Sequence, residues 1–272
     1  MEKGRILLLV AACGWSLSGV IIKSSALDGL SIAWARSSVA ALFLLPWAWR
    51  RRQALDAGAV FLALAYLGTV TLLVLATKAT TAANAIVLQY TAPVVVFALG
   101  IPLLHEYPQK KEWLALGLSM LGVGVIFFGA PAGHWLGFAL GLGSGLMFGL
   151  LIVGLRRYRD KDPYWTIFVN NAVVGVLLFP WVNWPESGLT SNEAGLMALL
   201  GVVQLGLPYV LFFKAVKLVV AREAALISLL DPLLNPVWVA LVVGEIPNPS
   251  TLVGGGIVLL GVGFPYLRWR RA

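Results

Sequence analysis

Asp231 is the residue whose surroundings say most about chemistry. It sits within the apolar run 222–244, where a charge costs about 3 kcal/mol or more unless it is paired, solvated or protonated. At helical spacing Ser228, Asp231, Asn235 and Trp238 share one face through steps of three and four. Such a polar stripe turns toward a cavity or a bundle interior, where the carboxylate could neutralise a cation or exchange a proton. Pro232 keeps a second reading open, with Asp231 as the N-cap of a half-helix that starts with Pro232 at N1. The two roles are compatible.

Trp15, Tyr66 and Tyr209, with Gln204, fall in the central parts of other apolar runs. Aromatic walls stack flat substrates and attract ammonium groups, and each ring alone serves equally well as ordinary packing. Arg36, near one end of the second run, could clasp a carboxylate bidentately. Bracing of neighbouring helices is the favoured reading for it, with Asn170 and Asn171 as counterparts that hydrogen-bond between helices. Trp47, Trp49, Trp181 and Trp184 suit an interfacial belt. Gly137, Gly141, Gly145 and Gly149 recur at every fourth residue, a flat face on which a neighbouring backbone can approach closely.

Other chemistries find little support. Cys13 is the single cysteine, so one chain offers no disulfide and no thiolate metal site; His105 and His134 are the two histidines. A membrane-embedded enzyme would need a convergent nucleophile, base or metal ligands, and the scattered acids do not supply them. No GxxxxGK[ST] run is present, which argues against direct ATP drive. No cofactor and no metal are expected.

The elements that must position these residues are membrane spans. Of 272 residues 60% are hydrophobic and 12% charged, with a mean hydropathy of +0.88. A soluble domain carries roughly a quarter charged residues, so lipid is the solvent. The net charge of +8 is spread between apolar runs, a pattern of membrane topology rather than of nucleic-acid binding. The run 6–22, after Lys3 and Arg5, has the outline of a signal peptide but is long for one, and nothing soluble follows it. At about 17 to 25 residues per helix, ten spans are predicted. They lie near 6–23, 30–49, 59–77, 82–104, 113–129, 136–155, 164–182, 195–214, 222–244 and 251–267. With a cytoplasmic N-terminus, all 20 Lys and Arg except Lys23, Lys78 and Arg36 fall inside. The positive-inside rule therefore expects both termini in the cytoplasm.

Residues 76–128 and 215–267 align without a gap at an offset of 139 (217 − 78). The offset matches Lys78 with Lys217, Pro93 with Pro232, Glu106 with Glu245 and Pro108 with Pro247. Gly117, Gly122 and Gly124 continue it onto Gly256, Gly261 and Gly263, and Gln89 stands where Ser228 does. Glu106 and Glu245 end their spans and are read as fixing loop geometry. Two halves, 1–130 and 131–272, with about five spans each give the second half an inverted orientation and put a site near the midplane.

Gly14-Trp15 followed by Lys23, Arg36 in the second span, and the paired patterns Pro93…Glu106…Gly117 and Pro232…Glu245…Gly256 resemble EamA-type members of the drug/metabolite transporter superfamily. The resemblance covers nearly the whole chain. It implies an all-α fold of ten transmembrane helices in a five-plus-five inverted repeat, with a cavity walled by spans 1, 3, 4, 6, 8 and 9. It also implies export of amino acids, amines or related metabolites by alternating access. One departure is Ala92-Pro93 where the second half has Asp231-Pro232. The small four-span pumps of the superfamily use a glutamate in their first helix, and the run 6–23 has no acid. Their proton mechanism is thus not carried over, and proton or counter-substrate coupling falls to Asp231. The expected partners are a small-molecule substrate and the bilayer, in a cytoplasmic membrane. The rival readings are a non-transporting receptor or assembly subunit and, further off, the membrane enzyme.

Overall fold

Five of the described helices begin at a capping side chain that the sequence supplies. In the computed structural model, which describes residues 2–104, 110–129, 134–158, 160–186, 188–215, 218, 227 and 230–263, every regular element described is helical. Asp28 accepts from the Leu30 and Ser31 amides and starts α3 (Gly29–Trp49). Asp56 starts α4 (Ala57–Ala79), Thr81 starts α5 (Ala82–Gln89), and Asp162 with Pro163 at N1 starts α9 (Pro163–Leu178). These are the acceptors that satisfy the first free N–H groups of a helix. The remaining helices are α1 (Glu2–Ser16), α2 (Ser18–Ser24), α6 (Ala92–Leu104), α7 (Lys110–Phe128) and α8 (Trp135–Arg157). After them come α10 (Ser191–Ala198), α11 (Leu207–Ala215), α12 (Leu230–Val243) and α13 (Pro249–Gly263).

Among the described residues, seven helical stretches of 19 to 23 residues each are long and apolar enough to cross a bilayer. Glu2–Ser24, Ala82–Leu103 and Ser191–Phe212 each join short helices end to end. Trp113–Phe128, Leu230–Val243 and Pro249–Gly261 are apolar but shorter. The chain is thus an all-α, multi-pass membrane protein. Lys110-Lys111-Glu112 occupy the first turn of α7, so its apolar stretch starts at Trp113.

The core is assembled by pairs. α4 packs along α8 as α1 packs along α11, α3 lies against α9, and α7 lies against α13. α5 and α6 meet α8 while α12 meets α1 and α2. Three spans depart from regular α-helix near the centre. The first breaks at Leu17, between Ser16 and Ser18. The fourth breaks at Tyr90-Thr91, just ahead of Pro93. In the eighth, a π-helix at Leu199–Gly206 joins α10 to α11, with the Leu207 amide bonded to the Val202 carbonyl. Pro208 follows and has no N–H to give, which favours the wider turn.

Candidate functional site

The breaks converge on the polar residues. Ser16 and Ser18 flank the Leu17 turn and take the α12 stripe: Trp238 Nε1 donates to Ser16 Oγ at 2.9 Å and Asn235 Nδ2 to Ser18 Oγ at 3.0 Å. Ser16 Oγ in turn donates to the Cys13 carbonyl. Gln89, the last residue of α5, donates through Nε2 to Ser144 Oγ at 2.9 Å, and Ser144 donates to the Thr69 carbonyl at 2.8 Å. A chain of contacts thereby joins α5 to α8 and α4.

Three rings connect the other side. Trp15 meets Tyr209 edge-on at 5.3 Å between centroids, and Tyr209 meets Tyr66 at 6.3 Å. Tyr66 is buried and donates its hydroxyl to Asn171 Oδ1 at 3.1 Å; Asn171 itself bonds back to the Ile167 carbonyl. Beside these rings lies Arg36, only 1% exposed. It donates to the Val70 carbonyl at 2.9 Å and, at a long 3.5 Å, to Gln204 of the π-helix. At that burial it does not snorkel, and its contacts bridge α3 to α4 and the eighth span.

Asp231 stands in the first described turn of α12, buried, with Tyr90 and Tyr209 within electrostatic range. Its Oδ1 has no hydrogen-bond partner among the described residues. The same holds for Asn235 Oδ1, Trp15 Nε1, Arg36 Nε and Asn170 Oδ1. Buried polar atoms are ordinarily paired, so the open ones at Asp231, Asn235 and Trp15 mark where further partners are needed. Pro232 is buried one residue on, in the same described turn, where Leu230 and Asp231 are already helical. Ser228 and Glu106 lie outside the described residues. Among the described residues no group of three His, Cys, Asp or Glu side chains could hold a metal ion.

The sequence model of the EamA-like transporter family matches residues 2–128 and again residues 135–266. The chain belongs to the EamA-like transporter family. It is similar to an uncharacterized transporter of Archaeoglobus fulgidus, 29% identical over 274 residues, covering 99% of this chain and 97% of that one. It is also similar to the uncharacterized transporter YdfC of Bacillus subtilis, 30% identical over 226 residues, covering 78% of this chain and 72% of the relative. A solved crystal structure shares the fold with a TM-score of 0.70 at 13% identity, covering 100% of this chain and 99% of its own. Within this family member, the residues that period and composition could not supply are Ser16, Ser18 and Ser144, whereas Asn171, expected to bond between helices, does so with Tyr66. Each serine is a small polar residue in an apolar run, and that was the available signal.

Proposed function

We propose that this EamA-like transporter exports small metabolites such as amino acids or amines, by alternating access around a midplane cavity beside Asp231. The observation that carries the reading is the open Oδ1 of that buried carboxylate. An uncompensated charge at such depth is costly, and a cationic group arriving with the substrate would balance it. Trp15, Tyr66 and Tyr209 would supply aromatic faces for that cation. Gln89, Gln204, Asn235, Trp238 and Ser228 would complete the polar wall. A proton or a counter-substrate competing for Asp231 would give the exchange step.

The same proposal takes the chain as ten spans in two inverted halves, 1–130 and 131–272. The pairing of α7 with α13 supports it. A side chain added at Gly122 would meet Gly254 and Val258, and one added at Gly261 would meet Ala115 and Ser119. These contacts interchange under the repeat offset, since 254 − 115, 258 − 119 and 261 − 122 all equal 139. Such a self-complementary contact is what a two-fold axis between halves generates. The family's double match supports the division as well. The Lys/Arg distribution supports both termini in the cytoplasm of a cell whose cytoplasmic membrane holds the protein.

Asp231→Asn and Asp231→Ala test the site. If the carboxylate neutralises substrate or exchanges a proton, both variants lose transport by about a hundredfold or more while folded yield is kept. Full transport with a normal pH profile in Asp231→Asn, and loss in Asp231→Ala only, would reduce the residue to a helix cap.

A further inference from the structure

Two polar ties close over the helix ends that the proposed orientation places outside. Lys23, in the last turn of α2, lies 2.8 Å from Glu245 Oε2 and donates to the Thr80 carbonyl at 2.7 Å. The second Glu245 oxygen accepts from the Ala82 amide at 2.7 Å, the first residue of α5. Glu245, just past α12, thus fastens α2 and α5 together. In the second tie Lys78 donates to the Ser25 carbonyl at 2.7 Å. Ser25 Oγ donates to Glu193 Oε2 at 2.6 Å, and the Ala26 amide to Glu193 Oε1 at 2.7 Å.

The origin of these groups is informative. Thr190 and Glu193 have capping-box spacing, and Thr190 does accept the Glu193 amide at 3.2 Å. The Glu193 carboxylate nevertheless crosses to the 25–26 turn rather than back to its own helix start. Both acids come from the second half of the chain and both lysines from the first. Lys23 and Lys78 are also the two cations that the positive-inside distribution leaves outside. Lys23 stands five residues beyond Ser18, about 7.5 Å along a helix, so the ties lie over the Ser18–Asn235 contact. The side chains of Lys23 and Glu245 are 17% and 20% exposed, at a rim within reach of water. A partly exposed ion pair at such a rim trades its partners for water at modest net cost, which suits a contact that must open and close.

We propose that Lys23–Glu245 and Lys78–Ser25–Glu193 form the latch of an outer gate, the contacts that part when the central site opens outward. The inference rests on the transporter reading above, and its test needs no knowledge of the substrate. The reporter is Ser18→Cys in a Cys13→Ala background; Ser18 is buried under the ties. Right-side-out and inside-out vesicles are treated with a membrane-impermeant, cationic thiol reagent. With the latch intact, external labelling is slow. Lys23→Met, which leaves Glu245 bonded to Ala82, and Glu245→Gln each raise the external rate by about tenfold. Combining Lys23→Glu with Glu245→Lys brings it back toward the parent value. A cation at the other end, Arg52→Met, leaves it unchanged. An unchanged external rate in both folded single variants, or fast labelling before any latch mutation, overturns the latch. A rise seen from the cytoplasmic side alone keeps the latch and overturns the orientation instead, so the two failures are separable.

Discussion

Asp231, Asn235 and Trp238 could be placed on one face from sequence because their spacing follows the helical period, and α12 holds Asn235 and Trp238 against Ser18 and Ser16. Their partners were not legible. Ser18 and Asn235 are 217 residues apart, and no local pattern encodes a contact between different spans. Arg36 shows the same limit: its burial follows from its place in an apolar run, but its acceptors, the Val70 carbonyl and Gln204, depend on how α3 meets α4 and the π-helix. Asp28 carries a prediction at this scale. Burial works to raise its carboxyl above the ordinary 3.8, but hydrogen bonds from Ser31, Asn183 and the Leu30 amide outweigh it and hold the group below that value. A carboxyl lowered in the folded state stabilises fully above its unfolded value and ceases to do so as pH falls through its folded value. Asp28→Ala is expected to cost about 1 kcal/mol at neutral pH, the usual worth of an N-cap. Thermal unfolding in detergent at pH 7 and near pH 3 checks it: the gap between wild type and variant should narrow in acid, and a gap independent of pH would count against the argument.

Among elements, the glycine ladder was legible as a face for close approach, whereas the interruption between α5 and α6 was not: by hydropathy 82–104 is one span, with Pro93 matched only to Pro232. The structure puts that ladder against the same interruption. A Cβ at Gly145 would come within 2.9 Å of the Leu88 carbonyl and 3.1 Å of the Gln89 carbonyl, and one at Gly149 within 2.8 Å of the Ala92 carbonyl. Backbone oxygens cannot step aside as a flexible side chain does. The break at Leu17 has no comparable mark, because two serines in an apolar run also occur in straight helices. The π-helix was likewise read as plain span, although Gly201, Gly206 and Pro208 lie in or beside it. Gly145→Leu should overpack the α8 seam at about 1–3 kcal/mol and lower transport and melting temperature together. Leu146→Ile, on an exposed position of the same helix, should change neither. Equal behaviour of the two variants would show that the seam tolerates separation.

At the scale of the molecule, composition alone required a membrane. The sequence expects ten spans; among the described residues seven helices are long and apolar enough to cross, with three shorter apolar ones beside them. Orientation can be measured directly. Single cysteines at Glu186 and Asp160, both exposed, in a background without Cys13, should label from opposite sides, Glu186→Cys from outside and Asp160→Cys from the cytoplasm. The reverse pattern would contradict the proposed topology. The central claim is that a small cationic or zwitterionic solute crosses through the middle of this bundle, carried rather than conducted. Purified protein reconstituted into liposomes preloaded with a panel of amino acids and amines provides the most direct measurement. Saturable counterflow of at least one labelled member is expected, stimulated by the same unlabelled solute inside and about a hundredfold weaker in Asp231→Asn. Proteoliposomes no more permeable than empty liposomes to every member, or a flux that neither saturates nor responds to internal solute, would contradict it.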